Sequence, residues 1–110
     1  MKLPNGEAAI VDLRKIREYC LSEEHPRGKH KARLFDMALN MRSADAERLR
    51  DALLQAAKLR DASVGVADEY GARYIIDFEL EHNGRTANVR SGWIVRSGED
   101  VPRFLTCYVL

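Results

Sequence analysis

The sequence is poor in cysteine and has almost no net charge. Its 110 residues include two cysteines, and its formal net charge is +1. Two cysteines cannot supply the several crosslinks of a small disulfide scaffold, and Cys20 and Cys107 lack the short spacing of a zinc site. We expect both to be buried, reduced thiols. The near-neutral charge excludes a polycation that binds nucleic acid by bulk charge, so any affinity for phosphate must be local.

Long apolar runs and the usual catalytic signatures are also missing. No stretch approaches the roughly 18 apolar residues of a membrane span, and the first residues lack the apolar segment of a secretory signal. We therefore expect a cytoplasmic protein without membrane association. The sequence has no glycine-rich phosphate loop, no HExxH motif and no nucleophile elbow. NTP hydrolysis, zinc proteolysis and acyl transfer lack their signatures, and we expect neither a metal nor a cofactor.

The composition and the hydrophobic periodicity predict one α+β domain over residues 1–110, with hydrophobic residues at 45% and charged residues at 32%. Apolar residues recur at helical spacing in the first half and alternate in the last third. The expected elements are a short edge strand at 8–11, helices at 13–21 and 29–41, a third helix that Ser43 caps and that ends near Arg60, a connecting loop at 62–71 with room for a short strand at 64–66, and a β-meander over 72–110. We expect the helical part, about 12–60, to pack on an antiparallel sheet of three to four strands.

The sequence Asn83-Gly84 between two alternating runs predicts a tight hairpin. If these two residues form the loop, the alternation fixes every cross-strand pair. The predicted pairs are His82 with Arg85, Leu80 with Ala87, Phe78 with Val89, Ile76 with Ser91, Tyr74 with Trp93 and, on the other face, Asp77 with Arg90. A second turn at 97–100 leads into a last strand, in which Leu105, Cys107 and Val109 are expected on the core face.

The segment from Glu24 to Arg33 concentrates ionisable groups at a junction between a loop and a helix. It contains two histidines and four cations: His25, His30, Arg27, Lys29, Lys31 and Arg33. Histidine can move protons near neutral pH, a cation can stabilise the charge of a phosphorane, and a helix start offers N–H groups to phosphate. These groups suit RNA self-cleavage without a metal. The alternative interpretation is an ordinary solvated surface, since ionisable clusters mark sites only statistically.

A second group of candidate residues lies on the predicted sheet. The alternation places Arg90, Thr106 and Tyr108 on the face opposite Val89 and Trp93. A guanidinium, a hydroxyl and an aromatic ring on one face can hold a phosphate and a stacked base. The alternative is a solvated face on which Arg90 pairs with Asp77. Ser91 is expected to face the core.

Nearly the whole chain resembles a bacterial family of unknown function that shares the motif H-P-x-G-x-H-K-A-x-x-F, here His25 to Phe35. The later shared signals are Tyr70-Gly71, a Ser-x-Trp-Ile-Val from Ser91 to Val95 and a Pro-Arg-x-x-Thr-x-Tyr from Pro102 to Tyr108. That family is similar to the barnase, EndoU, colicin and RelE-like group of nucleases. The resemblance implies a helical part followed by a curved four-stranded antiparallel sheet, RNA cleavage without metal, a toxin role, and a small antitoxin or immunity protein as partner.

Together, the residues and the resemblance predict a metal-independent endoribonuclease. In this hypothesis His25 or His30 is the general base or acid, Lys31 and Arg90 bind the scissile phosphate, and Thr106 or Tyr108 positions it. The residues expected to bind the rest of the substrate are Arg27, Lys29, Ser91 and Tyr108. The alternative is a non-enzymatic module that binds protein or nucleic acid through the basic loop and the exposed sheet face. The nuclease hypothesis requires the basic segment and the last strands to meet at one site.

Overall fold

The computed structural model describes all residues, 1–110, and has three helices and one four-stranded antiparallel sheet. The elements are α1 (Leu13–Lys15), continued by a π-helical turn (Ile16–Cys20), α2 (Lys29–Leu39), α3 (Ala46–Leu59), β1 (Ser63–Asp68), β2 (Gly71–His82), β3 (Arg85–Arg96) and β4 (Pro102–Val109). The predicted α+β class, with the helices preceding the sheet, is confirmed. None of the helices is both long enough and apolar enough to cross a bilayer.

The helices begin and end at residues suited to those positions. Asp12 caps α1, because its side chain accepts a hydrogen bond from the backbone N–H of Arg14 at 3.0 Å. Helix α2 ends two residues earlier than predicted, where Asn40 adopts a left-handed conformation with φ of 52°. Before α3, the side chain of Asp45 accepts from the N–H of Arg42 at 3.0 Å. The predicted Ser43 cap is therefore wrong, because Ser43 only opens a 3-10 turn that precedes α3.

The hairpin of β2 and β3 has the predicted register at every pair, from His82 with Arg85 to Tyr74 with Trp93. Asn83 and Gly84 have φ of 52° and 76°, as a two-residue turn of this kind requires. The strand order is β1-β2-β3-β4. Because the register is fixed, the even-numbered residues of β2 face the helices, whereas Asp77 and its partner Arg90 lie on the opposite face.

The two short strands expected outside the main sheet turned out differently. The predicted edge strand at 8–11 is wrong, because Gly6–Ala8 forms a 3-10 turn and Ile10 alone makes a bridge, to Arg103. Conversely, β1 is a six-residue strand rather than a short stretch within a loop. Its pairing with β2 is interrupted between Val64 and Ala67, where two β1 residues face one residue of β2.

A β-bulge in β4 changes which residues enter the core. Gly92 pairs with Thr106 but Trp93 pairs with Phe104, so Leu105 is left between the two pairs. Phe104 is consequently buried, and Leu105 is half-buried outside the core. The predicted core position of Leu105 is therefore wrong. Thr106 remains on the side of Arg90, as predicted.

The core lies between the helices and one face of the sheet. Its centre is Trp93, which packs edge-on against Phe104 with ring centroids 5.6 Å apart. The indole N–H donates to Ser91 Oγ at 2.9 Å, and the Ser91 hydroxyl donates to the carbonyl of Ile76 at 2.8 Å. Since both polar groups are fully buried, this chain of hydrogen bonds removes the cost of leaving them unpaired. Ser91 faces the core, as predicted.

Candidate functional site

Lys31 connects the start of α2 to the last strand of the sheet. Its ammonium donates to Thr106 Oγ1 at 3.1 Å and lies 5.0 Å from the ring centroid of Tyr19 and 5.6 Å from that of Tyr108. The helix is held in this position because Ala32 and Phe35, one and four residues further along, are buried in the core. Residues from the first third of the chain and from the last strand therefore meet at one place.

A surface cavity lies beside this ammonium. It has a volume of about 360 Å³ and is lined by Lys15, Tyr19, Lys31, Leu105 and Thr106. The Lys15 ammonium, which donates to the carbonyl of Phe104 at 3.0 Å, brings a second positive charge. We refer to Lys15, Tyr19, Lys31, Thr106 and Tyr108 as the Lys31 cluster. Two ammonium groups and a hydroxyl favour an anion such as phosphate, whereas the aromatic faces suit a stacked base.

Arg90 lies next to the cluster but is already paired. Its Nε and Nη2 donate to the two carboxylate oxygens of Asp77 at 2.8 Å each, and it is the cross-strand neighbour of Tyr108. The pairing lowers the pKa of Asp77 and, with a smaller contribution from Tyr108, raises the pKa of Arg90. Because the guanidinium is compensated by this carboxylate, a phosphate that binds Arg90 must compete with Asp77.

His25 is held by the loop that precedes α2. Its Nδ1 accepts hydrogen bonds from the backbone N–H groups of Arg27 at 3.0 Å and Gly28 at 2.9 Å, so the ring proton of the neutral side chain lies on Nε2. The ring also packs edge-on against Tyr19, with centroids 4.6 Å apart. Gly28 allows the loop to approach, because a Cβ there would lie 2.2 Å from the carbonyl oxygen of Tyr19. His25 thus contacts the cluster through Tyr19.

The remaining predicted residues are not part of the cluster. Arg27, Lys29 and His30 are exposed at the start of α2, and no hydrogen bond or ion pair joins their side chains to it. Ser91 is fully buried, with its hydroxyl used inside the core. The structure therefore brings together Lys31, Thr106 and Tyr108, places Arg90 and His25 beside them, and leaves Ser91 away from the surface.

Sequence reasoning missed Lys15 and Tyr19. A signal was present, because the two residues are four apart in a predicted helix and so share one face of it. What the pattern could not show is that this face meets β4. A larger cleft of about 590 Å³ lies on another side of His25, but its lining includes three acids beside two arginines, whereas no acid lines the smaller cavity. Since carboxylates repel phosphate, the smaller cavity is the better candidate for an anion site.

The architecture and this cluster define an α+β protein with a cationic and aromatic site where its first helices meet its last strand. A family model, Domain of unknown function (DUF6883), matches residues 2–110. The chain therefore belongs to that family. Membership of a family of unknown function was expected from the sequence. No curated protein matches the sequence.

One solved structure with a similar fold is a contact-dependent growth inhibition toxin–immunity protein complex from Klebsiella pneumoniae 342. A chain of that complex aligns with a TM-score of 0.69 and 16% sequence identity, over 92% of this protein and 99% of the other chain. At that identity the similarity establishes a shared fold, and the fold alone does not fix an activity.

Proposed function

We propose that this protein is a metal-independent endoribonuclease of the toxin type and that the Lys31 cluster binds the scissile phosphate. The observation that carries the proposal is the 3.1 Å hydrogen bond between Lys31 Nζ and Thr106 Oγ1. It joins the basic segment to the last strand, as the nuclease hypothesis requires. The similarity in fold to a chain of a toxin–immunity complex supports the same class of protein.

The chemistry proposed is RNA self-cleavage. The 2′-oxygen, after losing its proton to a base, attacks the adjacent phosphorus, the bond to the 5′-oxygen breaks, and an acid protonates that leaving oxygen. The extra negative charge develops on the non-bridging oxygens, where the ammonium groups of Lys31 and Lys15 can stabilise it. Thr106 holds the Lys31 ammonium in position, and the rings of Tyr19 and Tyr108 offer faces on which a base can stack.

His30 is the histidine better placed to transfer a proton. Its ring is exposed and neither ring nitrogen is engaged in a hydrogen bond, so it is free to approach a bound RNA, although its side chain does not contact the Lys31 cluster. His25 is less suited, since protonating its Nδ1 would set an N–H against the two backbone N–H groups that it now accepts from. We therefore assign His25 the positioning of Tyr19. Arg27 and Lys29 are proposed to contact the flanking phosphates, because both are exposed beside His30.

The toxin role carries with it a partner protein. A toxin that cuts the RNA of its own host needs an antitoxin or immunity protein that blocks it until it is used. The complex to which this chain is similar contains a toxin and an immunity protein. We propose a small protein partner of that kind, and RNA as the substrate.

A second candidate function is binding without cleavage. It is favoured by one observation, namely that no two groups able to transfer a proton meet in the cluster, because His25 is held by backbone N–H groups and His30 is exposed outside it. In that case the cluster and the basic helix start would bind nucleic acid or a protein through their charge.

The test is cleavage of labelled RNA by the purified protein with excess EDTA. We expect cleavage by the natural sequence and a loss of at least about 100-fold on Lys31→Met, which keeps the length of the side chain but removes the charge. Lys58→Met is the matched control, because Lys58 is exposed on α3 and lies outside the cluster. RNA binding without cleavage by the natural sequence would support the second candidate, and equal rates for the Lys31 and Lys58 variants would overturn the assignment of the site.

A further inference from the structure

The outer edge of β2 is only partly covered by β1. The pairing between these two strands covers Gly71 to Ile75, and no strand lies beside the rest of β2 on that side. The chain before β1 turns away from β2, because Ala62 donates its backbone N–H to the carbonyl of Met1. On its inner side, by contrast, β2 pairs with β3 along its whole length. We refer to residues 76–82 of β2 as the uncovered edge.

The geometry of the hairpin determines which backbone groups point outward along the uncovered edge. His82 and Arg85 flank a two-residue turn and so form a hydrogen-bonded pair, which means that the even-numbered residues of β2 bond to β3. The residues whose backbone N–H and C=O groups point outward are Asp77, Glu79 and Glu81. Among these groups only the Glu81 carbonyl has a partner in the protein, since it accepts from Arg48 Nη2 at 2.8 Å. The others are free to pair with another chain.

A groove of about 250 Å³ runs along this edge, between β2 and α3. Its apolar lining comes from both elements and consists of Ala52, Ala56, Leu59, Phe78 and Leu80. Leu59 is 57% exposed, so the groove leaves apolar surface in water. Because successive side chains of a strand point to opposite faces, a strand added to β2 would direct every second side chain into this groove. Small apolar side chains suit that position.

The other face of the uncovered edge is acidic. The side chains of Asp77, Glu79 and Glu81 are exposed there. Asp77 is paired with Arg90, whereas Glu79 and Glu81 form no ion pair. On an added strand, the side chains that do not enter the groove would lie directly beside these carboxylates, where an opposite charge stabilises the pairing and a like charge destabilises it. These positions of the added strand should therefore be basic, and the same carboxylates repel RNA.

We propose that the uncovered edge binds an extended segment of a partner protein, which pairs with β2 as an added strand and alternates small apolar residues with lysine or arginine. The apolar residues face α3 and the basic residues face Glu79 and Glu81. Main-chain hydrogen bonds supply affinity in this mode of recognition, and the alternating side chains supply specificity. The surface shares no residue with the Lys31 cluster, so the inference holds whether or not the protein cuts RNA.

The test is titration of the isotope-labelled full chain at pH 7 with a peptide of the sequence Lys-Val-Lys-Val-Lys-Val-Lys, blocked at both ends, followed by NMR. We expect saturable binding with a Kd below about 1 mM. The bound peptide should shift the amide signals of Asp77, Glu79 and Glu81 and slow their hydrogen exchange, because these N–H groups become paired. The same peptide with proline in place of its central valine should not protect them, since it lacks one backbone donor.

Glu79→Lys should weaken binding of the valine peptide by at least about threefold, because it replaces attraction by repulsion. Glu69→Lys is the matched control, since Glu69 is exposed at the turn between β1 and β2 and its substitution changes the charge equally. If Glu79→Lys fails to fold, the two peptides and the natural sequence decide the question alone. Unchanged amides along the uncovered edge, equal protection by the proline peptide, or equal weakening by both substitutions would overturn the proposal.

Discussion

The β2–β3 hairpin and the basic segment from His25 to Lys31 behave in opposite ways. In the hairpin every residue lies where the alternation of the sequence placed it, from His82 beside Arg85 to Tyr74 beside Trp93. In the basic segment, neighbours in sequence have different surroundings. His25 binds its own loop, His30 is exposed, and Lys31 reaches β4.

The difference follows from geometry. In a strand, the period of two leaves a side chain only two directions, and one fixed turn determines both. Successive residues of a helix point about 100° apart, so that the cationic character of a segment does not tell which cation reaches a neighbouring element. A site built at a helix start is therefore specified by packing, here the burial of Ala32 and Phe35, more than by its motif.

The largest loss of stability should come from removing a core side chain of the hairpin. Trp93→Ala removes a fully buried indole and its hydrogen bond to Ser91. We expect the free energy of unfolding to fall by about 3–5 kcal/mol, measured by urea denaturation. Tyr70→Ala should change it by less than about 0.5 kcal/mol, because Tyr70 is 66% exposed. Similar losses for both variants would contradict the assigned core.

Substitution in the basic segment should instead affect activity and leave stability nearly unchanged. Lys31→Met should slow RNA cleavage by about 100-fold or more, which corresponds to about 2.7 kcal/mol of transition-state stabilisation. Its free energy of unfolding should change by less than about 1 kcal/mol, because the lost hydrogen bond to Thr106 is only part-buried. If urea denaturation shows a loss as large as that of Trp93→Ala, Lys31 is a structural residue.

His25 offers the sharpest distinction between the two kinds of role. His25→Ala should cost about 1–2 kcal/mol of stability, since it leaves the N–H groups of Arg27 and Gly28 without their acceptor. His25→Asn keeps a short side chain with an acceptor oxygen and should restore most of the stability and activity. A general base or acid would not be rescued by asparagine, so an inactive but stable His25→Asn variant would return His25 to the catalytic role.

The smallest effect should come from the ion pair on the opposite face of the sheet. The Asp77 carboxylate is 43% exposed, so Asp77→Asn should lower stability by only about 0.3–1 kcal/mol at neutral pH. Arg90 lowers the pKa of Asp77, so this contribution is present above the unfolded pKa of about 3.9 and is lost as the pH falls through the lower folded pKa. Denaturation curves should therefore differ at pH 7 and converge at a pH below the lowered pKa of Asp77.

The same variant tests whether Asp77 restrains Arg90. In binding measurements with a short RNA oligonucleotide, Asp77→Asn should bind more tightly than the natural sequence, because the guanidinium no longer has a carboxylate partner. Glu79→Gln is the matched control, since Glu79 lies on the same surface opposite Asn88 and its substitution removes the same charge. If both variants tighten binding equally, the effect is due to overall charge.

The sequence allowed the fold class, the hairpin register and the buried position of Ser91 to be predicted, because period and turn chemistry are local properties. It did not reveal the bulge that exchanges Leu105 for Phe104 in the core, since the two adjacent residues are both large and apolar and either fits a core position. It also did not reveal Tyr19, whose place beside Lys31 depends on how the π-helical turn meets β4. Thr106 was found because its parity survives the bulge. The catalytic roles themselves stay predictions.

The interrupted pairing of β1 has a consequence for the solution behaviour of the protein. As the outermost strand, β1 leaves backbone N–H and C=O groups free along one side, and Val64 and Val66 are 68% and 67% exposed. An open apolar edge of this kind is a template on which another chain can pair, and it is a hazard for aggregation. The extra residue between Val64 and Ala67 bends that border, so that a second copy finds only two short matching stretches. The interruption of the β1 pairing thus makes this edge a poorer template for a second copy than a regular strand of the same length would be.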